Sequence, residues 1–483
     1  MSAFTITQPD GSSRTFVGYQ YTPPREDCKE YTTAGTSNLD HLPHKVDLRR
    51  YMSPVESQGQ TMSCVANAVA GAYEYLVKRH LGAHGYDVSR LFIYYNARLV
   101  NDPDGAETIS DSGSNMEHAI DGLRQYGACS EETWPFDEAA VNHQPSQEAY
   151  DEAAGFVIEE AFRVKTDLDL WRTALADGHP IIFGVKTYGS FGQPRRGVVP
   201  VPTAAEEAKG DEEGSHGEHA MLCVGYSDPD QVFIVRNSWG EDWAAAGYCY
   251  MPYRYVMSER WNLEDSWVVE RVDVLPPDED CWAEDDETVL EEVSGVIADM
   301  SEDEYGNLVE RMGPVPVEVR LALLFLRAAG ADGQVAEEEM QGAVDHLAPV
   351  LEELGSKQDA DAVLRNTHAR FGDDDALVWD TVDVFREVFA PEVLASITAQ
   401  LQDIIAADDE VSEEEQHFVD TVIDRWQVAP AAEEEEEEEE GQVNDGEGDG
   451  DDQGEFDEQQ HVETGEDDYD EHHYAHEEDV DRQ

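Results

Sequence analysis

The chain has 483 residues, enough for two or three domains and at least one large hydrophobic core. Its 108 acidic residues outnumber 31 basic ones, and the formal net charge of −77 disfavours binding to nucleic acid or to an anionic membrane. An acidic, lysine-poor surface stays hydrated in concentrated salt, so the composition predicts a cytoplasmic protein of a salt-accumulating halophile. The alternative is a protein kept soluble by its charge in an ordinary cytoplasm.

The sequence shows no targeting or membrane signal. Residues 1–11 are polar and lack the apolar core of a secretory signal, and no run of about 18 apolar residues occurs. The six cysteines form no CxxC pair, which argues against a zinc ribbon or a dense disulfide framework and indicates a reducing compartment. They are Cys28, Cys64, Cys129, Cys223, Cys249 and Cys281.

In chain order, residues 1–41 are predicted to be an irregular lead-in to a mixed α and β region. Apolar residues at helical spacing predict helices over 64–80 and 115–127. Alternating runs rich in β-branched residues predict three later strands. These strands cover 180–188, 219–227 and 231–239.

The second half of the chain has a different character. Residues 276–289 are rich in proline and acids and are predicted to be a linker, and residues 290–428 are predicted to be all-helical. This helical part contains a repeat, because GADGQVAEEE at 330–339 is matched by AADDEVSEEE at 406–415. Residues 429–483 begin with an acidic run and cannot bury enough apolar surface to fold, so a disordered tail is predicted.

Cys64 stands where the first predicted helix begins, and a thiol there can become a nucleophile if a histidine and the helix N-terminus lower its pKa. His219 begins one predicted strand and Asn237 ends the next, so a hairpin would place the two residues side by side. Gln58 offers a side-chain amide that could donate to a developing oxyanion. A buried structural cysteine is the alternative.

Three stretches carry a resemblance to the papain-like cysteine peptidases. The segment VDLRRYMSPVESQGQTMSC, which ends at Cys64, is similar to the start of the mature family members. The segments EHAMLCVGY and VRNSWGEDWAAAGYCYMPY resemble the stretches around the family's histidine and asparagine. The resemblance implies a two-lobed α+β fold over residues 42–275, with a helical left lobe and an antiparallel β right lobe.

The resemblance also implies a role for each residue that matches the family's motifs. Cys64 would be the nucleophile, His219 the base, Asn237 the group that orients the histidine, and Gln58 the oxyanion donor. Three further residues would line the substrate cleft or support the site: Ser63, Gly113 and Trp239. The implied reaction is hydrolysis of peptide bonds in a peptide or protein substrate, and it needs no cofactor.

Several departures from the family's pattern stand near these residues. Thr61 and Met62 stand where the family has Cys and Gly, so the disulfide beside the nucleophile cannot form, and Val65 replaces the usual Trp. The segment before Val46 is too short for the usual inhibitory propeptide, so restraint would have to come from the 189–218 loop or from the C-terminal half. The alternatives are a catalytically idle scaffold that binds peptides or serves a stress response, and a thiol enzyme that transfers its acyl group instead of hydrolysing it.

The predicted helical part, residues 290–428, resembles a tellurite-resistance TerB-like domain. Four carboxylates of the two repeats match that family's acidic positions and could form a calcium or magnesium site, because these ions prefer oxygen ligands. They are Asp332, Glu339, Asp408 and Glu415. The stronger alternative is that these acids cap helices and interact with the helix dipole. The domain could also dock a partner, and in the idle-scaffold alternative it would be the functional part.

Overall fold

The computed structural model describes residues 4–428, except for positions 17, 24, 26–27, 33–41, 82–86, 102–108, 159, 211, 213, 271–280, 332–336 and 408–410. The tail predicted over 429–483 lies outside the described residues. The described part has the predicted α+β fold, with a helical lobe and an antiparallel sheet, and an all-helical region follows.

The left lobe is built on helix α1 (Cys64–Leu81). The alanine, valine and tyrosine side chains of this helix are buried along most of its length. α1 packs against α2, α3 and the sheet of the other lobe. The Asn115 side chain accepts the His118 N–H at the start of α3, and Gly127 ends that helix with a φ of +75°. The predicted helices are thereby confirmed; their bounds are α1 (Cys64–Leu81), α2 (Arg90–Asn101) and α3 (Met116–Tyr126).

The right lobe contains an eight-stranded sheet in which every pairing is antiparallel. Its longest strand runs through the centre and pairs with three others, and its side chains are almost all buried. The three predicted strands are confirmed. The strands are β3 (Lys45–Asp47), β4 (Glu160–Arg163), β5 (Ile181–Thr187), the central β6 (Gly217–Ser227), β7 (Val232–Arg236), β8 (Tyr248–Pro252), β9 (Asn262–Glu270) and β10 (Trp282–Ala283); further helices in this part of the chain are α4 (Gln147–Ala153), α5 (Leu168–Ala176), α6 (Ala204–Lys209) and α7 (Tyr253–Val256).

The N-terminal segment is not irregular, so that prediction is wrong for its first part. Strands β1 (Phe4–Thr7) and β2 (Ser13–Phe16) form an antiparallel hairpin whose turn contains Gly11. Ile6 is fully buried and Phe16 almost so. The hairpin is part of the core because its apolar residues pack against the two lobes.

The predicted linker is also partly structured. Cys281 is buried in the core of the α+β region, which is the first region of the chain. Strand β10 pairs with Val46 and Lys45 of β3 at the edge of the sheet. Lys45 donates to Asp285, so a lysine and an acid from opposite ends of the region hold this edge together. Positions 281–285 therefore belong to the sheet of the first region.

The all-helical region has one continuous apolar core centred on α9, whose leucine and phenylalanine side chains are buried. Ser301 and Ser412 begin two of its helices with capping boxes, in which the serine and the glutamate three residues later bond each other's backbone N–H groups. No helix in the described part of the chain is long and apolar enough to cross a membrane. The helices are α8 (Glu302–Met312), α9 (Val317–Ala329), α10 (Glu337–Glu353), α11 (Ala360–Phe371), α12 (Asp375–Val388), α13 (Pro391–Ile405) and α14 (Glu413–Trp426).

Polar contacts join the helical region to the loop after β5. The Gln193 side-chain amide donates to the Gly313 carbonyl at 2.8 Å, and the Tyr305 hydroxyl donates to the Gln193 carbonyl at 2.6 Å. Arg195 donates to the Met300 carbonyl and lies over the Tyr305 ring. The helical region and the α+β region therefore share a specific interface at this loop.

The core of the helical region provides a stability test. Leu324 of α9 is fully buried, and we expect Leu324→Ala to lower the free energy of unfolding by about 2–5 kcal/mol because it removes methyl groups and leaves a cavity. Leu377→Ala, at a half-buried position on α12, is the matched control and should cost less. Urea unfolding followed by tryptophan fluorescence measures both, and equal losses would contradict the placement of Leu324 at the centre.

Candidate active site

The turn before α1 holds Cys64 at the helix N-terminus. Thr61 and Ser63 hydroxyls are 2.7 Å apart, and the Asn67 side-chain amide donates to the Ser63 carbonyl at 2.9 Å. These bonds fix the backbone immediately before the nucleophile candidate, so Ser63 supports the site from a fully buried position. The Cys64 thiol lies near the backbone N–H of Ala220 and is itself only 2% exposed.

The hairpin of β6 and β7 brings His219 and Asn237 together, as the sequence predicts. His219 Nε2 and Asn237 Oδ1 are 2.8 Å apart, and both side chains are buried. The Ser238 backbone N–H donates to the same Oδ1 at 2.8 Å, which identifies that atom as the amide oxygen. Because an amide oxygen only accepts, Nε2 carries the hydrogen, and the neutral ring keeps Nδ1 as its acceptor.

Trp239 lies beside this pair. Its ring centroid is 5.2 Å from that of His219, with 30° between the two planes. Phe191 and Trp243 pack against the indole and complete an aromatic wall on one side of the imidazole. Solvent is thereby kept away from the bond between His219 and Asn237.

Gln58 links the two lobes. Its Oε1 accepts the Ser238 hydroxyl at 2.6 Å, and its Nε2 donates to the Thr61 carbonyl at 2.8 Å. A side-chain amide has two N–H groups, so one donor remains after the bond to Thr61. The structure thus places Gln58, Cys64, His219 and Asn237 around the junction of the lobes, and Ser238 is a supporting residue that the sequence reasoning missed although it follows Asn237 directly.

The opposite wall of the cleft depends on a glycine and two polar side chains. Gly113 has a φ of +83°, and its N–H donates to the Tyr94 hydroxyl at 2.8 Å. That hydroxyl and the Met62 N–H both donate to Asp111 Oδ1, at 2.7 and 2.9 Å. Tyr94 and Asp111 therefore fix the distance between Met62 on one wall of the cleft and Gly113 on the other. No local pattern in the sequence indicated this role.

The cleft is occupied by the chain's own N-terminal segment. The Ser114 N–H donates to the Gly18 carbonyl and the Gln20 N–H donates to the Ser114 carbonyl, both at 3.0 Å, so residues 18–20 pair with the cleft wall. A side chain at position 18 would place its Cβ 2.7 Å from the Met62 carbonyl oxygen. Only glycine fits between the walls at this point.

The same segment covers the histidine side of the site. Phe16 packs edge-on against His219, with 5.4 Å between ring centroids, and contacts Trp239 at 5.5 Å. Arg14 donates to the Gly59 carbonyl at 2.7 Å and places its guanidinium 5.1 Å from the centre of the Trp239 ring. We call residues 14–16 and 18–20 the covering segment; it occupies the cleft, a role that the sequence reasoning assigned to the 189–218 loop or the C-terminal half.

Burial changes the protonation of the site. Desolvation raises the pKa of the Cys64 thiol to about 11, although nearby backbone N–H groups oppose the shift. Desolvation also lowers the pKa of His219 to about 4, although the hydrogen bond that its Nε2 donates to Asn237 Oδ1 favours the protonated ring. At neutral pH the covered site therefore holds a neutral thiol and a neutral imidazole.

The candidate metal ligands of the helical region are only partly visible. Asp332 and Asp408 lie outside the described residues, as does the side chain of Glu339. The Glu415 carboxylate accepts the Ser412 N–H at 2.8 Å in the capping box of α14, so this acid has the helix-capping role that was the alternative. The metal site stays a prediction.

A second group of acids lies beside α1, where carboxylate oxygens of Glu56, Glu74 and Asp87 are within 4.8 Å of one another. Glu74 accepts the Val88 N–H at 3.0 Å, and Glu56 pairs with Arg90 at 2.9 Å. Donors of the protein already bond two of these acids, so the group is accounted for without a cation.

The peptidase region is similar to a known family along its length. The sequence model of the papain family cysteine protease matches residues 42–267. An uncharacterized peptidase C1-like protein of Acanthamoeba polyphaga mimivirus is 33% identical over 239 residues, which are 47% of this chain and 72% of that protein. Pro-cathepsin H of Bos taurus is 25% identical over 214 residues, 43% of this chain and 58% of that relative.

The chain is also similar to a solved structure, and its helical region matches a second family. Xylellain, a cysteine protease from Xylella fastidiosa, is 33% identical and superposes with a TM-score of 0.46, covering 54% of this chain and 98% of that one. The model of the tellurite resistance protein TerB matches residues 318–435, most of the helical region. The chain is a member of the papain family of cysteine peptidases that also carries a TerB domain.

Proposed function

We propose that the chain hydrolyses peptide bonds with Cys64 as nucleophile, His219 as base and acid, Asn237 as the orienting group and Gln58 as an oxyanion donor. The observation that carries the proposal is the hydrogen bond from His219 Nε2 to Asn237 Oδ1, because it leaves Nδ1 of the buried imidazole ready to accept a proton. The position of Cys64 at the N-terminus of α1 supports it, since the helix dipole favours a thiolate there.

The reaction follows from these positions. His219 Nδ1 takes the thiol proton, and the Cys64 sulfur attacks the peptide carbonyl, whose oxygen becomes negative and accepts N–H bonds from Gln58 and the Cys64 backbone. The C–N bond then breaks as the imidazolium gives its proton to the leaving amine. Water adds to the thioester with His219 as base, which releases the acid product and restores the thiol.

The covered site represents a latent state of this enzyme. The covering segment occupies the backbone groups of Ser114 that would hold an extended peptide, and burial keeps both Cys64 and His219 neutral. Water and substrate can reach the thiol only after the segment leaves. Solvation of the ion pair would then lower the pKa of the thiol and raise that of the imidazole, which favours the reactive thiolate.

Alkylation of Cys64 tests the latent state through its pH dependence. The pKa of the Cys64 thiol is about 11, so its rate of labelling by iodoacetamide should keep rising up to pH 10 in the unchanged chain. Peptide mass spectrometry identifies the labelled cysteine. In Phe16→Ala the rate at pH 7 should be about tenfold higher or more. Phe4→Ala removes a ring that contacts Phe16 at 6.0 Å but has no ring contact with His219, so it should give a smaller increase. A plateau between pH 5 and 8 in the unchanged chain would contradict the covered site.

Hydrolysis of a fluorescent casein by the Phe16→Ala chain at high salt tests the chemistry itself. Adding Cys64→Ala should reduce the rate by at least about 10³-fold, because the nucleophile of the proposed site is lost. Cys129→Ala, which alters a buried thiol in a separate apolar cluster, should leave the rate unchanged. If the Cys64→Ala chain kept its activity, the peptidase site would be assigned wrongly, and the idle-scaffold alternative would gain support if neither chain cleaved casein.

A further inference from the structure

The covering segment places one side chain in a closed pocket beside the cleft. Tyr19 is 2% exposed, and its hydroxyl donates to Asp265 Oδ2 at 2.6 Å. The ring lies against Gly184 of β5, where a Cβ would come within 2.9 Å of the phenol carbon. The pocket therefore has room for a flat ring only because position 184 lacks a side chain.

The end of the pocket is a carboxylate with few partners. Asp265 is 3% exposed; its Oδ1 accepts the Trp267 indole N–H at 2.5 Å, and its Oδ2 accepts the Tyr19 hydroxyl. Burial raises the pKa of the Asp265 carboxyl. With a ring in the pocket, water has little access to Oδ2, so an occupant without a donor would leave a buried acceptor unpaired, which is unfavourable.

The pocket lies next to the proposed reaction site. Tyr19 follows Gly18, which packs on Met62 and pairs with Ser114 of the cleft wall. Gly184 stands opposite Ala220 in the sheet, and Ala220 follows His219. A substrate that used the same wall would thus present a side chain to this pocket within a few residues of the bond being cleaved.

We propose that this pocket reads one substrate side chain and that Asp265 makes it select tyrosine over phenylalanine. This inference rests on the proposed peptidase function. A tyrosine of the substrate restores the hydroxyl donor to Oδ2, whereas phenylalanine fills the same space and leaves the acceptor unpaired. A shorter apolar side chain would leave part of the pocket empty as well.

The test uses the full chain with Phe16→Ala and a set of peptides. The peptides differ in a single residue, which is varied in turn at each of the three positions before the cleaved bond. At one position kcat/KM for tyrosine should exceed that for phenylalanine by about 10- to 100-fold. Asp265→Leu should bring the ratio to about 1 while phenylalanine peptides are still cleaved, which shows that the variant is folded. Asp265→Asn keeps an amide that can bond the hydroxyl, so its ratio should lie between those of the parent chain and Asp265→Leu.

Two outcomes would overturn the assignment: an unchanged tyrosine preference in both Asp265 variants, or a preference for arginine over tyrosine in the parent chain. Failure of the peptidase proposal looks different, because then none of the peptides would be cleaved and the Cys64→Ala change would have no effect. The two ideas can therefore fail separately.

A separate set of contacts joins the hairpin turn to the TerB domain. Arg370 of α11 donates through Nη1 to the Gly11 and Ser12 carbonyls, at 2.9 and 2.8 Å, and through Nη2 to the Thr7 hydroxyl at 3.2 Å. Asn366, one helical turn earlier, donates to the Asp10 carbonyl at 2.8 Å. One face of α11 thus bonds the turn almost entirely through backbone carbonyls.

The other side of the turn borders a cavity. This cavity has a volume of about 250 Å³ and lies between residues 8–10, the aromatic side chains of Trp239 and Trp243, and the start of α9. Gln8 is nevertheless only 8% exposed, so the turn is packed as well as hydrogen-bonded. The hydrogen bonds from α11 add to these packing contacts.

We infer that α11 acts as a latch that keeps the covering segment in the cleft. β2 runs directly from the turn to Phe16, so freeing the turn frees the strand that covers His219. A shift of α11 away from the turn would open the site without any change in the catalytic residues. The TerB domain would then set the fraction of the enzyme that is open.

The latch is tested by the rate of Cys64 alkylation in the full chain at pH 7. Arg370→Ala should raise the rate about tenfold, because several hydrogen bonds to a charged group are lost together. Arg365→Ala is the matched control: it lies on the same helix, is exposed, and pairs only with Asp361 among the ion pairs of the described residues. Arg370→Lys should give an intermediate rate.

Equal rates for Arg370→Ala and Arg365→Ala, at equal midpoints of thermal unfolding, would overturn the latch. If Phe16→Ala accelerated labelling in the same experiment, the covering segment would stand and only the role of α11 would fall. If no variant changed the rate, the latch would be wrong together with the cover.

Discussion

The backbone at Gly18 passes closely between Met62 and Gly113, and this passage determines where the covering segment lies. Gly18 has no room for a side chain against Met62, and a Cβ on Gly113 would lie 2.3 Å from the Gly18 carbonyl oxygen. Because the backbone is held there, the residues on either side fall into place: Phe16 lies against His219, and Tyr19 enters the pocket that ends at Asp265. Two glycines thus position the whole covering segment.

Much of the fold and most of the candidate site could be predicted from local patterns. The helix at Cys64, the strand at His219 and the strand ending before Asn237 have clear periodicities, and the chemistry of a thiol nucleophile requires those residue types. Ser238, Tyr94 and Asp111 escaped prediction because they act through hydrogen bonds to residues distant in sequence, and no spacing along the chain signals such contacts.

The N-terminal hairpin was missed for a different reason. Its strands have four residues each, too short for a periodicity to stand out, although the Pro-Asp-Gly-Ser turn at residues 9–12 was a usable signal. The segment is too short for a helical propeptide, but a strand needs far fewer residues than helices to cross a cleft. Strand β10 was likewise hidden, since its pairing partner Val46 lies more than 200 residues away.

Tyr19 is part of the enzyme's own chain, so it competes with substrate for the pocket at any dilution of the enzyme. A tethered group reaches its site at an effective concentration set by the chain that links them, commonly in the millimolar range. A free peptide meets only the open fraction of molecules, so its apparent KM rises as that fraction falls, while kcat at saturation is unaffected. An enzyme restrained in this way would cleave abundant or locally concentrated substrates and spare dilute ones, even before any signal reached its helical domain.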